Sequence, residues 1–412
     1  MPSPVNAGII IDSAFPGGNI IVESIQDGVV ILRQDLRDTQ GDWFYWYFAV
    51  RGAEPGSTWR FQFSASPAMG VRGPGVSRDK GKTWRWLGAD SLQGNGFSYT
   101  FPADYSPSVQ SEDEVRFSFG MPYLLADWDR FIDRLEEQQK HQDPARFTRH
   151  VLCRTRQNRE VPYIRLNPSA PDESTKQGSP SSSRKRVLLT ARHHSCEMMA
   201  NYVLEGLIEE ILRQHGDPAE SGNPLRSTEF LIIPFVDMDG VENGDQGKWR
   251  APHDHNRDYD GGSLYAEVVA MKQLVPEWQG SGSLVCLDIH CPYIGGENNE
   301  SIYLVGSGVP AIAREQERFS ALLETYSHSG LPCFRDSFLP FGQSWNTAEN
   351  YIAGKSFIHW IVEQPGVELA ATIEIPYATA HGAEVNAKTA RDFGHDLARA
   401  IKHYLSRPAS AR

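Results

Sequence analysis

RVLLTARHHSCEMMANYVLEGLIEEILRQHG occupies residues 186–216 and changes its period partway along. RVLLTA (186–191) is a short aliphatic run, the composition of a buried strand. From Glu197 the apolar residues of EMMANYVLEGLIEEILRQHG (197–216) recur at three- and four-residue intervals, the signature of an amphipathic helix. A strand feeding directly into a helix is the repeating unit of α/β folds.

The same alternation continues downstream. FLIIPFV (230–236), SLVCLDIH (283–290) and AATIEIPY (370–377) read as further core strands, and AREQERFSALLETYSHSG (313–330) as a second amphipathic helix. DWDRFIDRLEEQQK, from Asp127, is the first helical stretch of the chain. Upstream the period is two. GNIIVES, GVVILRQD, WFYWYFAVRG, TWRFQFSAS, KTWRWLG, FSYTF and EVRFSFG alternate, with turn residues between them, as in an all-β sandwich. The expected architecture is therefore an antiparallel β-sandwich over 1–122, then an α/β domain over 123–412 with a mixed, mostly parallel sheet flanked by helices. NPSAPDESTKQGSPSSSRKR (167–186) is nearly free of apolar residues and is expected to be a mobile loop.

Bulk properties narrow the function. At 412 residues the chain exceeds a single core. With 52 acidic against 40 basic residues the net charge is −12, a field that repels polyphosphate, so nucleic acid is not expected as a partner. No apolar run is long enough for a bilayer span, and MPSPVNAGIII lacks the basic start of an export signal. Five cysteines without a CxxC pair suggest free thiols and a cytoplasmic setting.

The chemistry gathers at strand ends. His194 and Glu197 stand three residues apart where the strand RVLLTA gives way to the helix, so both can reach one cation; alone, the pair is a weak signal and reads more readily as a surface salt bridge or a helix-start carboxylate. His290 closes the strand SLVCLDIH, and strand ends line the binding crevice of α/β folds. Asp288, two residues earlier on the same strand face, is placed to orient an imidazole. FVDMDGVENGDQGKWRAPHDHNRDYD (235–260) crowds Arg250, Asp254, His255, Asn256 and Arg257 into eight residues; an amide beside a guanidinium suits a carboxylate, although a solvated loop has the same composition. Glu374 interrupts the apolar TIEIPY (372–377), where a lone carboxylate needs a partner or a catalytic role. SRDKGKTW (77–84) resembles a sialidase Asp-box hairpin, but as a single copy it is read as a turn-stabilising device.

Taken in order, these blocks resemble the M14 zinc carboxypeptidase family, most closely its cytosolic branch. HSCE (194–197) resembles HPGE, VDMDGVENG (236–244) resembles NPDGVxNG, DHNR (254–257) resembles DxNR, LDIHC (287–291) resembles DLHG, and TIEIPY resembles TxExP. The resemblance implies one zinc ion per chain held by His194, Glu197 and His290, with Asp254 behind a ligand histidine. It implies Glu374 as general base, Arg250 as oxyanion cation, and Asn256 with Arg257 gripping the free α-carboxylate of a peptide or protein C-terminus. Tyr351 lies at a suitable distance before Glu374 for the aromatic clamp. Because the cytosolic branch includes enzymes that remove glutamate from acidic tails, an acidic preference is a further expectation. The chain departs from the pattern at Ser195-Cys196, where Pro-Gly is usual, at Cys291, and in the short spacing from Arg250 to Asn256. Cys196 is read as a small buried hydrophobe rather than a nucleophile. Two other readings stay open: a zinc deacylase of N-acyl amino acids resembling succinylglutamate desuccinylase or aspartoacylase, and a non-catalytic binding protein on the same scaffold.

Overall fold

A computed structural model describes residues 9–65, 68–105, 113–139, 147–167, 185–216 and 222–407. Most of the Ser/Pro-rich stretch expected to be a mobile loop, 168–184, lies outside the described residues.

The alternating N-terminal runs form two packed sheets. One is antiparallel throughout, in the order Ile10–Asp12, Tyr47–Arg51, Val115–Ser118, Gly75–Ser77, Arg85–Trp86. The other runs Ile21–Gln26, Val29–Arg33, Thr58–Phe63, Gly96–Thr100, with one parallel pair between Val29–Arg33 and Thr58–Phe63. Period-two sequence puts alternate aromatics on the inner faces, where Phe61 of one sheet meets Phe48 and Phe117 of the other at 5.6 and 5.3 Å between ring centres. The SRDKGKTW turn is held locally. Ser77 Oγ accepts the Gly81 amide, Asp79 Oδ1 accepts the Thr83 amide, and Trp84 packs against the sandwich core.

A seven-stranded mixed sheet follows, in the order Phe147–Arg154, Glu160–Leu166, Glu229–Ile233, Lys185–Ala191, Ser283–His290, Val367–Glu374, Tyr303–Val305. Its four central strands, Glu229–Ile233, Lys185–Ala191, Ser283–His290 and Val367–Glu374, are parallel, and the flanking strands are antiparallel. Because side chains alternate, Val285, Leu287 and Ile289 face helices Met199–Gly216, Pro310–Tyr326 and Ala387–Leu405, while Leu284 and Cys286 face Ala266–Gln279 and Phe357–Val362. Asp288 and His290 share the second face, as do Thr372 and Glu374 across the ladder, where His290 pairs with Glu374.

Helix Ala387–Leu405 begins at a capping box, with Asn386 Oδ1 accepting the Lys388 and Thr389 amides. It crosses Met199–Gly216 so closely that a Cβ on Gly206 would lie 1.9 Å from the Arg391 carbonyl oxygen. Two helix boundaries differ from the sequence reading. Met199 rather than Glu197 opens the first, leaving Glu197 in the preceding turn, and the second runs Pro310–Tyr326 because proline sets its first turn. Beyond Tyr326, the His328 and Ser329 amides turn to Asp396 Oδ2.

One continuous apolar cluster joins the sandwich to the first face of the large sheet. Polar contacts fix the junction: the Gln246 side chain donates to the Tyr45 carbonyl and accepts the Tyr45 amide, each at 2.8 Å, and Trp86 Nε1 donates to the Val385 carbonyl. Among the described residues no helix is long and apolar enough to cross a membrane. All five cysteines are free.

Candidate active site

The parallel strands deliver their C-terminal ends to one cavity of about 1100 Å³, lined among others by His194, Lys248, Asn256, Arg257, His290, Tyr351 and Glu374. Strand Lys185–Ala191 ends in a tight turn. Arg192 there takes a left-handed backbone conformation (φ 61°), and its buried guanidinium donates to the Ser195 and Tyr123 carbonyls and to Asn201 Oδ1. A strained residue held from three sides fixes the turn that carries His194 and Glu197.

Within that turn His194 Nδ1 lies 3.0 Å from Glu197 Oε1. His290 Nδ1 lies 2.7 Å from Glu197 Oε2 and 3.2 Å from His194 Nδ1. Each imidazole is backed by a carboxylate on its other nitrogen: Asp288 Oδ2 at 2.7 Å from His290 Nε2, and Asp254 Oδ1 at 3.7 Å from His194 Nε2. Asp288 thereby orients His290, and the Nδ1 atoms of both imidazoles converge on Glu197. Ligand atoms about 2.0–2.1 Å from a tetrahedral zinc ion stand roughly 3.3 Å apart, near the separations found here. The donor set of two imidazoles and one carboxylate, with Glu197 Oε2 buried and lacking a hydrogen-bond donor, therefore fits a divalent metal.

A second cluster, His193, Asp288 and His290, adjoins the first. His193 Nδ1 is 2.9 Å from Asp288 Oδ1, and its Nε2 is 2.9 Å from Tyr259 Oη, so both of its nitrogens already have partners. Burial works to raise the Asp288 carboxyl pKa, but His193 and His290 outweigh it and hold the group well below the usual range.

Glu374 lies beside His290 with Oε2 buried and unpaired. Burial, reinforced by the Glu197 charge, lifts its pKa to about 7 against the opposing pull of His290 and Lys248. Asn256, Arg257 and Tyr351 meet at the far side of the cavity. Asn256 Oδ1 accepts the Phe357 amide, Arg257 donates to the Asn350 carbonyl, and the Arg257 guanidinium stacks 5.0 Å from the Tyr351 ring.

Arg250 is differently employed from what its motif position implied. Its Nε donates to Asp38, its Nη1 to Asp237 at 2.6 Å and its Nη2 to Asp245 at 3.0 Å, an arrangement of three carboxylates that ties the 237–250 loop to the sandwich. The cation that reaches the cluster is Lys248, whose Nζ lies 2.6 Å from Glu197 Oε1 and 5.2 Å from the centre of the Trp43 ring. Gly247 permits the approach: its φ is 75°, and a Cβ there would lie 2.2 Å from the Ser195 amide nitrogen. Trp43 and Asp38 come from the sandwich, and no local pattern marks them; Lys248 had a faint signal in the short Arg250-to-Asn256 spacing. Cys196 is fully buried with its thiol pushed up to about 12, which suits a small hydrophobe.

The zinc carboxypeptidase (peptidase M14) family model matches residues 132–277. His194, Glu197, Arg250 and Asn256 fall within the match; His290 and Glu374 lie beyond it and join the site through the fold. Cytosolic carboxypeptidase 6 of Caenorhabditis elegans is 24% identical over 306 residues, covering 70% of this chain and 63% of that protein. Human cytosolic carboxypeptidase 1 is 22% identical over 332 residues, covering 72% of this chain and 26% of that protein. The chain thus spans less than two thirds of either curated relative. A crystal structure of a metallo-carboxypeptidase from Burkholderia cenocepacia aligns with a TM-score of 0.72 at 20% identity, over 96% of this chain and 98% of that one. A Pseudomonas aeruginosa metallo-carboxypeptidase, solved in complex with (2-guanidinoethylmercapto)succinic acid, aligns with a TM-score of 0.70 at 20% identity, over 97% of this chain and 100% of that one. These structures share the fold, sandwich included.

Proposed function

We propose that the chain is a metallocarboxypeptidase that hydrolyses the last peptide bond of a peptide or protein tail, a reading supported by the match of residues 132–277 to the zinc carboxypeptidase (peptidase M14) family model and by the cytosolic carboxypeptidase relatives. The observation that carries this reading is the convergence of His194, Glu197 and His290 beside Glu374, in one cavity with Asn256, Arg257 and Tyr351. His194, Glu197 and His290 would hold one zinc ion per chain. When bound, zinc supplies Lewis-acid polarisation of the scissile carbonyl and acidifies water.

The protein's own groups do the rest. Asn256 and Arg257 grip the free α-carboxylate, the guanidinium as a planar fork and the amide as a further donor, with Tyr351 closing over the bound residue. Glu374 takes a proton from the attacking water as its oxygen bonds to the carbonyl carbon. The same carboxyl then gives that proton to the nitrogen as the C–N bond breaks, leaving a new carboxylate and a free amino acid. Asp254 and Asp288 keep the two imidazoles oriented.

The cleaved residue's side chain is read as neutral and apolar, where the family resemblance had suggested acidic. Beside Glu374 the wall is Tyr303, Val305 and Thr372. The described lysines and arginines lining the cavity are Lys248, Arg250 and Arg257; the first two are paired to carboxylates and the third serves the clamp. Asp42, Glu297 and Glu349 stand exposed at the rim, in no ion pair among the described residues, and disfavour an acidic tail. A cytoplasmic setting belongs to the same reading, supported by the cytosolic relatives and the five free cysteines.

Incubating wild-type protein and Glu374→Gln with peptides bearing free or amidated C-termini tests the activity. The expected result is release of one C-terminal residue from free-ended peptides by the wild type alone. Equal rates for the variant, or cleavage of N-acyl amino acids without cleavage of peptides, would overturn it.

A further inference from the structure

We propose that Lys248, not Arg250, supplies the positive charge that meets the carbonyl oxygen of the scissile bond as it becomes anionic; this rests on the carboxypeptidase reading of the site. Two observations combine. The first is that Arg250 is fully committed: three carboxylates, Asp38, Asp237 and Asp245, take donors from Nε, Nη1 and Nη2. Swinging this guanidinium towards the zinc ligands would break three ion pairs and leave the buried Asp237 carboxylate without its arginine, a larger penalty than one oxyanion contact returns.

The second is the placement of Lys248. Trp249 takes a left-handed conformation (φ 51°), so consecutive side chains diverge: Trp249 stands exposed at the rim, Arg250 enters the aspartate cage, and Lys248 enters the cavity. The Lys248 ammonium is largely buried, reaches Glu197 Oε1 at 2.6 Å and rests over the face of Trp43. One of its three N–H donors answers Glu197, and the residue lines the cavity together with Glu374. A cation held this way, before substrate arrives, is preorganised for an anion that forms only during reaction, which is the condition for lowering a barrier rather than tightening ground-state binding. Trp43 gives the sandwich a share in the site, since it packs beneath the ammonium.

The test compares Lys248→Met, Lys248→Arg and Arg250→Met with wild type in kcat and KM, zinc content by mass spectrometry, and affinity by calorimetry for a phosphonate peptide and for the free product amino acid. The phosphonate presents a tetrahedral anion; the product does not. For Lys248→Met the expected result is one zinc per chain, unchanged KM and product affinity, and kcat and phosphonate affinity each lower by about 10²–10³-fold. Lys248→Arg should recover part of both. Zinc loss in Lys248→Met would make Lys248 a support for Glu197 and overturn the assignment, as would retained kcat, or an Arg250→Met protein that keeps fold and zinc yet loses kcat and phosphonate affinity. A wild-type protein that cleaves no peptide overturns the reading of the site itself; an active enzyme indifferent to Lys248→Met overturns this assignment alone.

Discussion

Asp288 Oδ2 stands 2.7 Å from His290 Nε2, two residues along the same strand, while Asp288 Oδ1 takes His193 Nδ1 and the Thr190 hydroxyl. One carboxylate thus sets the direction of an imidazole at a strand end and ties that strand to its neighbour. Period-two geometry makes this inevitable once both residues lie on the same face.

Asp288→Asn should therefore weaken zinc binding about 10–100-fold, the usual consequence of removing an acceptor behind a ligand histidine. Competition with a chromophoric chelator measures it. An unchanged affinity would mean that His290 is oriented by packing alone.

The aspartates around Arg250 should respond oppositely to pH. Burial works to raise the Asp237 carboxyl, but Arg250 and His255 outweigh it and hold it below the usual range, so its contribution to stability is present at neutral pH and lost as pH falls through its depressed value. Asp245, raised to about 6 by burial and by Asp38, favours the fold while protonated, and that contribution is lost as pH rises from about 4 through 6. In urea titrations Asp245→Asn should be neutral or stabilising by up to about 2 kcal/mol at pH 8, the benefit fading towards pH 4.5. Asp237→Asn should destabilise at pH 8 by about 3 kcal/mol, the effect of breaking a buried ion pair. Parallel behaviour of the two variants would contradict the cage as described.

How much of this was legible in the sequence depends on how each residue is held. His194, Glu197, His290 and Glu374 are carried by strand ends, and strand ends in a parallel sheet meet by topology, so short motifs sufficed to bring them together. Lys248 and Arg250 are two residues apart on a loop, and which one reaches Glu197 follows from a left-handed Trp249 and from docking against Asp38, more than two hundred residues away. Motif position favoured the arginine, whose guanidinium pairs with Asp38 while Lys248 pairs with Glu197. Trp43 reads locally as an inner-face aromatic of the sandwich, and its place beside the His194, Glu197 and His290 cluster follows only from how that sandwich packs.

Removing the clamp should affect binding more than turnover. Arg257→Ala is expected to raise KM for free-ended peptides roughly 10–100-fold, in line with a lost hydrogen bond to a charged group, with a smaller change in kcat. Steady-state kinetics decide it, and an unaltered KM would remove Arg257 from carboxylate recognition.

The wall of Tyr303, Val305 and Thr372, with Asp42, Glu297 and Glu349 at the rim, predicts discrimination by side chain. For peptides differing only in the last residue, kcat/KM for phenylalanine or leucine should exceed that for glutamate by about tenfold or more. The opposite order would place a cation in the recess and restore the acidic preference.

The central claim is that His194, Glu197 and His290 share one zinc ion, and anomalous diffraction from crystals grown with stoichiometric zinc, collected either side of the zinc edge, tests it most directly. A single strong peak is predicted within bonding distance of His194 Nδ1, the Glu197 carboxylate and His290 Nδ1. No peak there, or a peak shared by His193 and Asp288 instead, would contradict it.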